Sequence, residues 1–207
     1  MTLKFLGDKI SHGGMTYKEY KKLFADEIEN PPGVDGKSNY DIKKLNFARG
    51  TRVEKQFVPS DELIEAVNKI SEPQLWMVLS ETWCGDSAQN LPTIAKIADL
   101  NPNIKLKILP RDSYPEVMDQ YLTNGTKSIP KLIAFGKDYK ELCRWGPRPK
   151  TAQQLILRLK EDGLSKSEWQ KELHLWYGGN RGKELKSELV QLLMKSKPAI
   201  NTFIGIN

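Results

Sequence analysis

Cys84 is the residue whose neighbours in the chain favour chemistry. The apolar run Leu75-Trp76-Met77-Val78-Leu79 reads as a buried strand, and it leads into Glu81-Thr82-Trp83-Cys84-Gly85-Asp86-Ser87. A helical pattern follows from about Ser87 to Leu100, with Leu91, Ile94, Ala95 and Ala98 apolar. A thiol between a strand end and a helix start meets the unpaired N–H groups and the dipole of the helix N-terminus. Both favour the thiolate, the form that attacks a disulfide sulfur. The plain alternative is a small apolar side chain that fills a gap in the core.

The other reactive groups form no comparable constellation. His12 and His174 lie in unrelated segments, and neither stands at a ligand spacing from Cys84 or Cys143, so no metal site is expected. Cys143 falls in a run, Tyr139–Trp145, that reads as a strand, and it reads as an ordinary small sheet residue. A bridge to Cys84 would need Cα atoms within ~7 Å.

Trp83-Cys84-Gly85-Asp86-Ser87 resembles the Trp-Cys-Gly-Pro-Cys active site of thioredoxins, with Asp86 in place of proline and Ser87 in place of the resolving cysteine. Pro92 matches the proline that kinks the active-site helix. Ile129-Pro130, followed by the strand Lys131–Phe135, resembles the cis-proline, and Gly146 matches the glycine of the substrate groove. The similarity covers about residues 52–162. It implies an α/β fold: a thioredoxin-like mixed sheet flanked by helices, with helical N- and C-terminal extensions. The expected division is a helical N-terminal extension over 1–50, the thioredoxin-like domain over 51–162, and a helical C-terminal extension over 163–207 packed on the domain.

The resemblance also implies site roles. Cys84 is the expected nucleophile. Ser87 cannot form a disulfide but can donate a hydrogen bond to the thiolate, which lowers a thiol pKa; an ionised Asp86 works in the opposite direction. The net expectation is a Cys84 pKa below the free value of ~8.5. Trp83, Gly85, Asp86, Ile129, Pro130 and Gly146 are expected to form the substrate groove, with Arg144, Trp145 and Arg148 nearby. Val78 occupies the position of the family's buried acid, which assists resolution. The implied function is a monothiol oxidoreductase. Cys84 attacks a protein or low-molecular-weight disulfide, and an external thiol such as glutathione resolves the adduct; no bound cofactor is expected. The alternative is a non-enzymatic thioredoxin-fold module that binds peptide or senses redox state.

These residues need a scaffold, and the sequence supplies one. Thr16 with Glu19 makes a capping box for a helix over Tyr17–Glu29, stopped at Asn30-Pro31-Pro32-Gly33. Residues 1–14 read as a loose lead-in, 33–40 as a loop, Asp41–Arg49 as a short helix and 51–58 as a first strand. Ser60 caps a helix with Leu63, Ile64, Val67 and Ile70 on its apolar face. Ile104–Leu109 reads as a strand, Pro115–Leu122 as a helix ended by Asn124-Gly125, and Lys131–Phe135 with Tyr139–Trp145 as a hairpin. Thr151 is expected to cap the next helix, Ser165 and Glu168 to box the one after it, Gly178-Gly179 to break that one, and Glu184–Lys195 to form the last.

Composition limits the function classes. The chain has 207 residues, 39% of them hydrophobic, enough for a sizeable core. Its formal charge of +6 is spread over helical faces without aromatic interleaving, so no nucleic-acid partner is expected. Two cysteines make no disulfide scaffold. No window approaches a membrane span and Met1–Asp8 carries no secretory apolar region, so a cytoplasmic location without membrane association is expected. A monomer or weak dimer is expected, with the terminal helices as the alternative partner surface.

Ser87→Cys is expected to place a second thiol one helical turn from Cys84, giving an intramolecular disulfide and modest dithiol reductase activity. Free-thiol counts after mild oxidation, and turnover with and without added glutathione, check this. An unmodified protein that turns over without external thiol, and gains nothing from the substitution, would contradict the monothiol reading.

Overall fold

Strand β1, Gln74–Ser80, is buried along almost its whole length because both faces of the sheet are covered. It pairs in parallel with β2 (Ile104–Pro110) and antiparallel with β3 (Lys131–Phe135), which pairs antiparallel with β4 (Glu141–Trp145). The sheet order is β2-β1-β3-β4. The helices are α1 (Tyr17–Glu29), α2 (Lys37–Lys55), α3 (Asp61–Asn68), α4 (Gly85–Ala98), α5 (Pro115–Met118), α6 (Lys150–Glu161), α7 (Lys166–Asn180) and α8 (Lys183–Lys195). This is the expected mixed sheet flanked by helices. The computed structural model describes residue 10, residues 12–30 and residues 37–195. The expected lead-in over 1–14 and the stop at 31–33 lie partly outside those residues.

The alternation of β1 divides the core. Trp76 and Val78 join Leu132, Ala134, Ile104 and Ile108 on one face, packed by apolar residues of α1, α3, α4 and α8. Leu75, Met77 and Leu79 join Ile133 and Phe135 on the other, with Ile10, Val117 and Met118. Ala152 and Ile156 of α6 form a third cluster with Leu173 and Tyr177 of α7. The two capping boxes and the Ser60 cap form as their residue types dictate. Among the described residues no helix is long and apolar enough to cross a membrane.

The expected first strand over 51–58 is absent. Helix α2 begins at Lys37, inside the expected loop, and runs to Lys55, across the expected domain boundary after residue 50. Val53 lies in the last turn of the helix, and Phe57 lies beyond its end, partly buried against the core. Glu54 then anchors the helix: it accepts from Lys21 Nζ at 3.0 Å and Tyr17 OH at 3.3 Å. The neighbour on the free side of β2 is Met15, whose backbone exchanges hydrogen bonds with Ile108.

Four further expectations change. Gly178-Gly179 do not break α7, because the left-handed residues Arg181 (φ 52) and Gly182 (φ 72) terminate it instead. Thr151 does not cap α6; Pro149 holds the cap position without a side-chain bond. Glu188 and Glu184 of α8 accept the exposed N–H groups of Lys150 and Thr151, each at 2.8 Å. The helix from Pro115 ends at Met118, and Tyr139 (φ 58) stays in the hairpin turn, so β4 begins at Glu141.

Helix α8 is part of the core. Leu185, Leu189 and Leu193 are buried in the same cluster as Trp76, and Trp145 Nε1 donates to Glu188 at 2.6 Å. Leu189→Ala is therefore expected to destabilise the whole protein by about 2–5 kcal/mol. Urea unfolding followed by far-ultraviolet dichroism and tryptophan fluorescence checks it. One coincident, shifted transition is expected, whereas separate melting of the C-terminal helices would make α8 an appendage.

Candidate active site

At the end of β1 the chain turns through Glu81–Trp83, and Cys84 becomes the N-cap of α4, with extended φ −82 and ψ 116. Its Sγ lies 3.5 Å from the Ser87 N–H and donates to the Ile129 carbonyl at 3.4 Å. The turn is anchored from the N-terminal helices. Asn46 of α2 donates to Thr82 O at 3.2 Å, and Thr82 donates to Glu27 of α1 at 2.6 Å. The Ile129–Pro130 bond is cis, as the resemblance implies; Gly146–Pro147 is also cis. Gly146 has φ +115, and a Cβ there would stand 2.2 Å from Pro130 O, so glycine is required.

The helix N-terminus does not win the contest over the thiol. Cys84 is only 8% exposed. Burial pushes its pKa up, the Asp86 carboxylate adds to that, and Ser87 opposes both only in part. The expected depressed thiol is thus corrected: desolvation outweighs the dipole. The Ser87 hydroxyl pulls the pKa down, as expected, and its backbone N–H adds to that, although Ser87 Oγ itself is buried without a hydrogen-bond partner among the described residues. Cys143 packs in the other sheet-face cluster from Cys84, and burial raises its pKa to about 11.

Asp86 is held from two sides. Arg148 forms an ion pair with Oδ2, and Tyr177 donates to Oδ1 at 2.6 Å. Asn90 donates to both Tyr177 OH (2.9 Å) and Asp86 O (2.8 Å). Arg148 is therefore spent on Asp86, and on Gln153 at 2.7 Å. Arg144 pairs with Glu141, lies over Tyr121 and does not line the cleft that Cys84 lines. Trp145 is buried in the core.

A cleft of about 1150 Å³ opens over the sulfur. Trp83, Cys84, Gly85, Asp86 and Ile129 line it, so the structure brings together most of the expected site. Pro130 and Gly146 pack against each other beneath it and do not line it, and Ser87 borders a small separate cavity with Tyr20 and Phe47. The Arg111 guanidinium covers the Trp83 ring at 4.8 Å and donates to Lys127 O at 3.1 Å, tying down the loop before the cis-proline. Helices α2 and α7 make the walls, with Asn46, Arg49 and Arg52 on one and His174 on the other. None of these four wall residues stands out in the sequence as a site residue. His174 lies above Gly85, where an added Cβ would meet its ring at 3.0 Å, and its Nδ1 faces Gln89 at 3.3 Å. Burial, then Arg49, lowers its pKa to about 4, so it is neutral at pH 7. The one sequence signal for this wall is the spacing of Asn46, Arg49 and Arg52, three apart on one helical face.

A thioredoxin family model matches residues 37–166. The chain belongs to the thioredoxin family. The matched span begins with α2, so the helix that walls the cleft lies inside the family region. A crystal structure of a protein of unknown function from Pseudomonas aeruginosa is similar at 18% identity, with 88% of this chain and 99% of that one covered and a TM-score of 0.55. An HIV epitope scaffold is similar at 17% identity, with 87% and 98% covered and a TM-score of 0.56. These likenesses support the thioredoxin-like fold. No curated protein matches the chain.

For this thioredoxin-family site the raised thiol pKa has a direct consequence. Alkylation of native Cys84 is expected to keep rising with pH past ~8.5, the free-cysteine value, because deprotonation is incomplete there. Mass-spectrometric rates across pH check it. A plateau below pH ~7.5 would mark an activated thiolate and contradict the burial argument.

Proposed function

We propose that the protein is a monothiol thiol–disulfide exchange protein. The observation that supports this most is the placement of Cys84 at the N-cap of α4, bonded to the carbonyl before the cis-proline and opening into the large cleft, with Ser87 where a resolving thiol would stand. Cys84 loses its proton to solvent and attacks one sulfur of a protein or low-molecular-weight disulfide. The new Cys84–S bond forms as the substrate S–S bond breaks, and the other substrate sulfur leaves as a thiolate. Because Ser87 cannot repeat the attack, an external thiolate attacks the adduct, releases Cys84 and leaves as the new disulfide. Glutathione or a similar thiol serves as co-substrate. Arg148 and Tyr177 hold the Asp86 carboxylate at the helix start while the sulfur changes partners.

The protonated, buried resting thiol gives the sensing reading a specific observation of its own: a sulfur with raised pKa carries little thiolate at neutral pH and reacts slowly. One measurement separates the two. Reduced protein incubated with glutathione disulfide is expected to form an adduct at Cys84 and to turn over only when free glutathione is added. An adduct that forms but is not released by millimolar glutathione indicates a sensor. No adduct at Cys84, or an unchanged rate in Cys84→Ser, removes the exchange function.

A further inference from the structure

The cleft over Cys84 is lined by arginines and lysines on every wall, and Asp86 is the one acid among its lining residues. That acid is already neutralised by Arg148. Arg111 and Lys127 pair with Asp112 and Asp119. Arg49 and Arg52 of α2, and Lys166 and Lys171 of α7, have no carboxylate partner among the described residues. Arg49 and Arg52 stand one turn apart on the same helical face, where like charges repel. Arg49 is partly buried, and its guanidinium donates to the amide oxygen of Asn46 at 3.0 Å rather than to an acid. Both arginines also bear on His174 across the cleft, which stays neutral beside them. Uncompensated cations lining one cavity are unfavourable in the empty protein, and an anion placed among them relieves that repulsion.

We propose that this cleft binds a small thiol or disulfide bearing two or more anionic groups, with its anionic end between Arg49 and Arg52 of α2 and Lys166 and Lys171 of α7. The cleft volume of about 1150 Å³ suits a small molecule of this kind. Seating the sulfur end over Cys84 rests on the exchange function proposed above; the anion site does not. The anionic groups can be carboxylates, as in a thiol tripeptide, or phosphates, as in a nucleotide-linked thiol. Coulomb attraction into the cleft also raises the local concentration of such substrates at a sulfur that is otherwise slow to react.

The test separates binding from chemistry. Cys84→Ser protein is titrated at low salt with S-methylglutathione, with coenzyme A, and with the dication cystamine. At least one anionic probe is expected to bind, and which one identifies carboxylate or phosphate as the source. Cystamine is expected not to bind. Adding Arg49→Gln and Arg52→Gln, or Lys166→Gln and Lys171→Gln as a second pair on exposed positions, is expected to weaken binding roughly tenfold or more, and ~0.5 M salt to do the same. Absence of binding by both anions, equal binding of cystamine, or indifference to both charge-removing pairs would overturn the inference. So would exchange confined to an acidic peptide disulfide with neither small anion bound. The two proposals fail separately. Anion binding without any exchange at Cys84 in the parent protein overturns the exchange function alone. Exchange with cystamine as fast as with glutathione disulfide, and independent of salt, overturns the anion site alone.

Discussion

The carboxylate of Asp86 joins three parts of the chain that are distant in sequence. It sits at the first turn of α4, receives the guanidinium that follows the cis Gly146–Pro147 bond, and receives the hydroxyl of Tyr177 from α7. A buried charge of this kind is costly unless its partners are in place, and removing one partner of a buried pair costs ~3–5 kcal/mol. The position of α7 over the active site therefore follows from electrostatics as much as from apolar packing. Where the family pattern has a proline, this chain has a charge that ties Arg148, and Tyr177 of α7, to the start of α4.

Burial on the other side decides the state of the sulfur, where Cys84 packs in one cluster with Leu79, Met118 and Ile129. A helix N-terminus stabilises an adjacent anion by a few tenths of a kcal/mol to about 2 kcal/mol. Removing a thiolate from water, with a second anion next to it, costs more than the helix returns, and the thiol stays protonated beside the Ile129 carbonyl. The sheet face and the cis-proline loop desolvate Cys84, while α2 and α7 wall the cleft that opens beside it.

Much of the site was legible because its parts are local. Trp83-Cys84-Gly85, Pro92, Ile129-Pro130 and Gly146 are landmarks at fixed spacings, and the capping boxes at Thr16 and Ser165 are four-residue signals that tertiary structure did not override. The failures share a cause. Residues 51–55 continue α2 instead of starting a strand, and Glu54 there finds Lys21 and Tyr17, partners more than thirty residues away. Gly178-Gly179 carry low helix propensity, but Tyr177 on one side and the turn at Arg181 on the other hold the helix through them. His174 and the α2 arginines became site residues only through the packing of α2 and α7 around the active site, which no local pattern encodes.

The replacement of an expected first strand by α2 leaves β2 at the margin of the sheet. Among the described residues of the preceding chain, Met15 pairs with it, through two hydrogen bonds to Ile108 of 2.8 and 2.7 Å. An uncovered sheet border is a template on which a foreign strand can grow. Lys105 is exposed there, and Lys107 spans the border by donating to Gly14 O at 2.8 Å, so an incoming chain meets two ammonium groups at the rung positions it would occupy. Colloidal behaviour at high concentration, where a partly unfolded N-terminus would uncover this border, is therefore set by a methionine and two lysines that have no part in the chemistry.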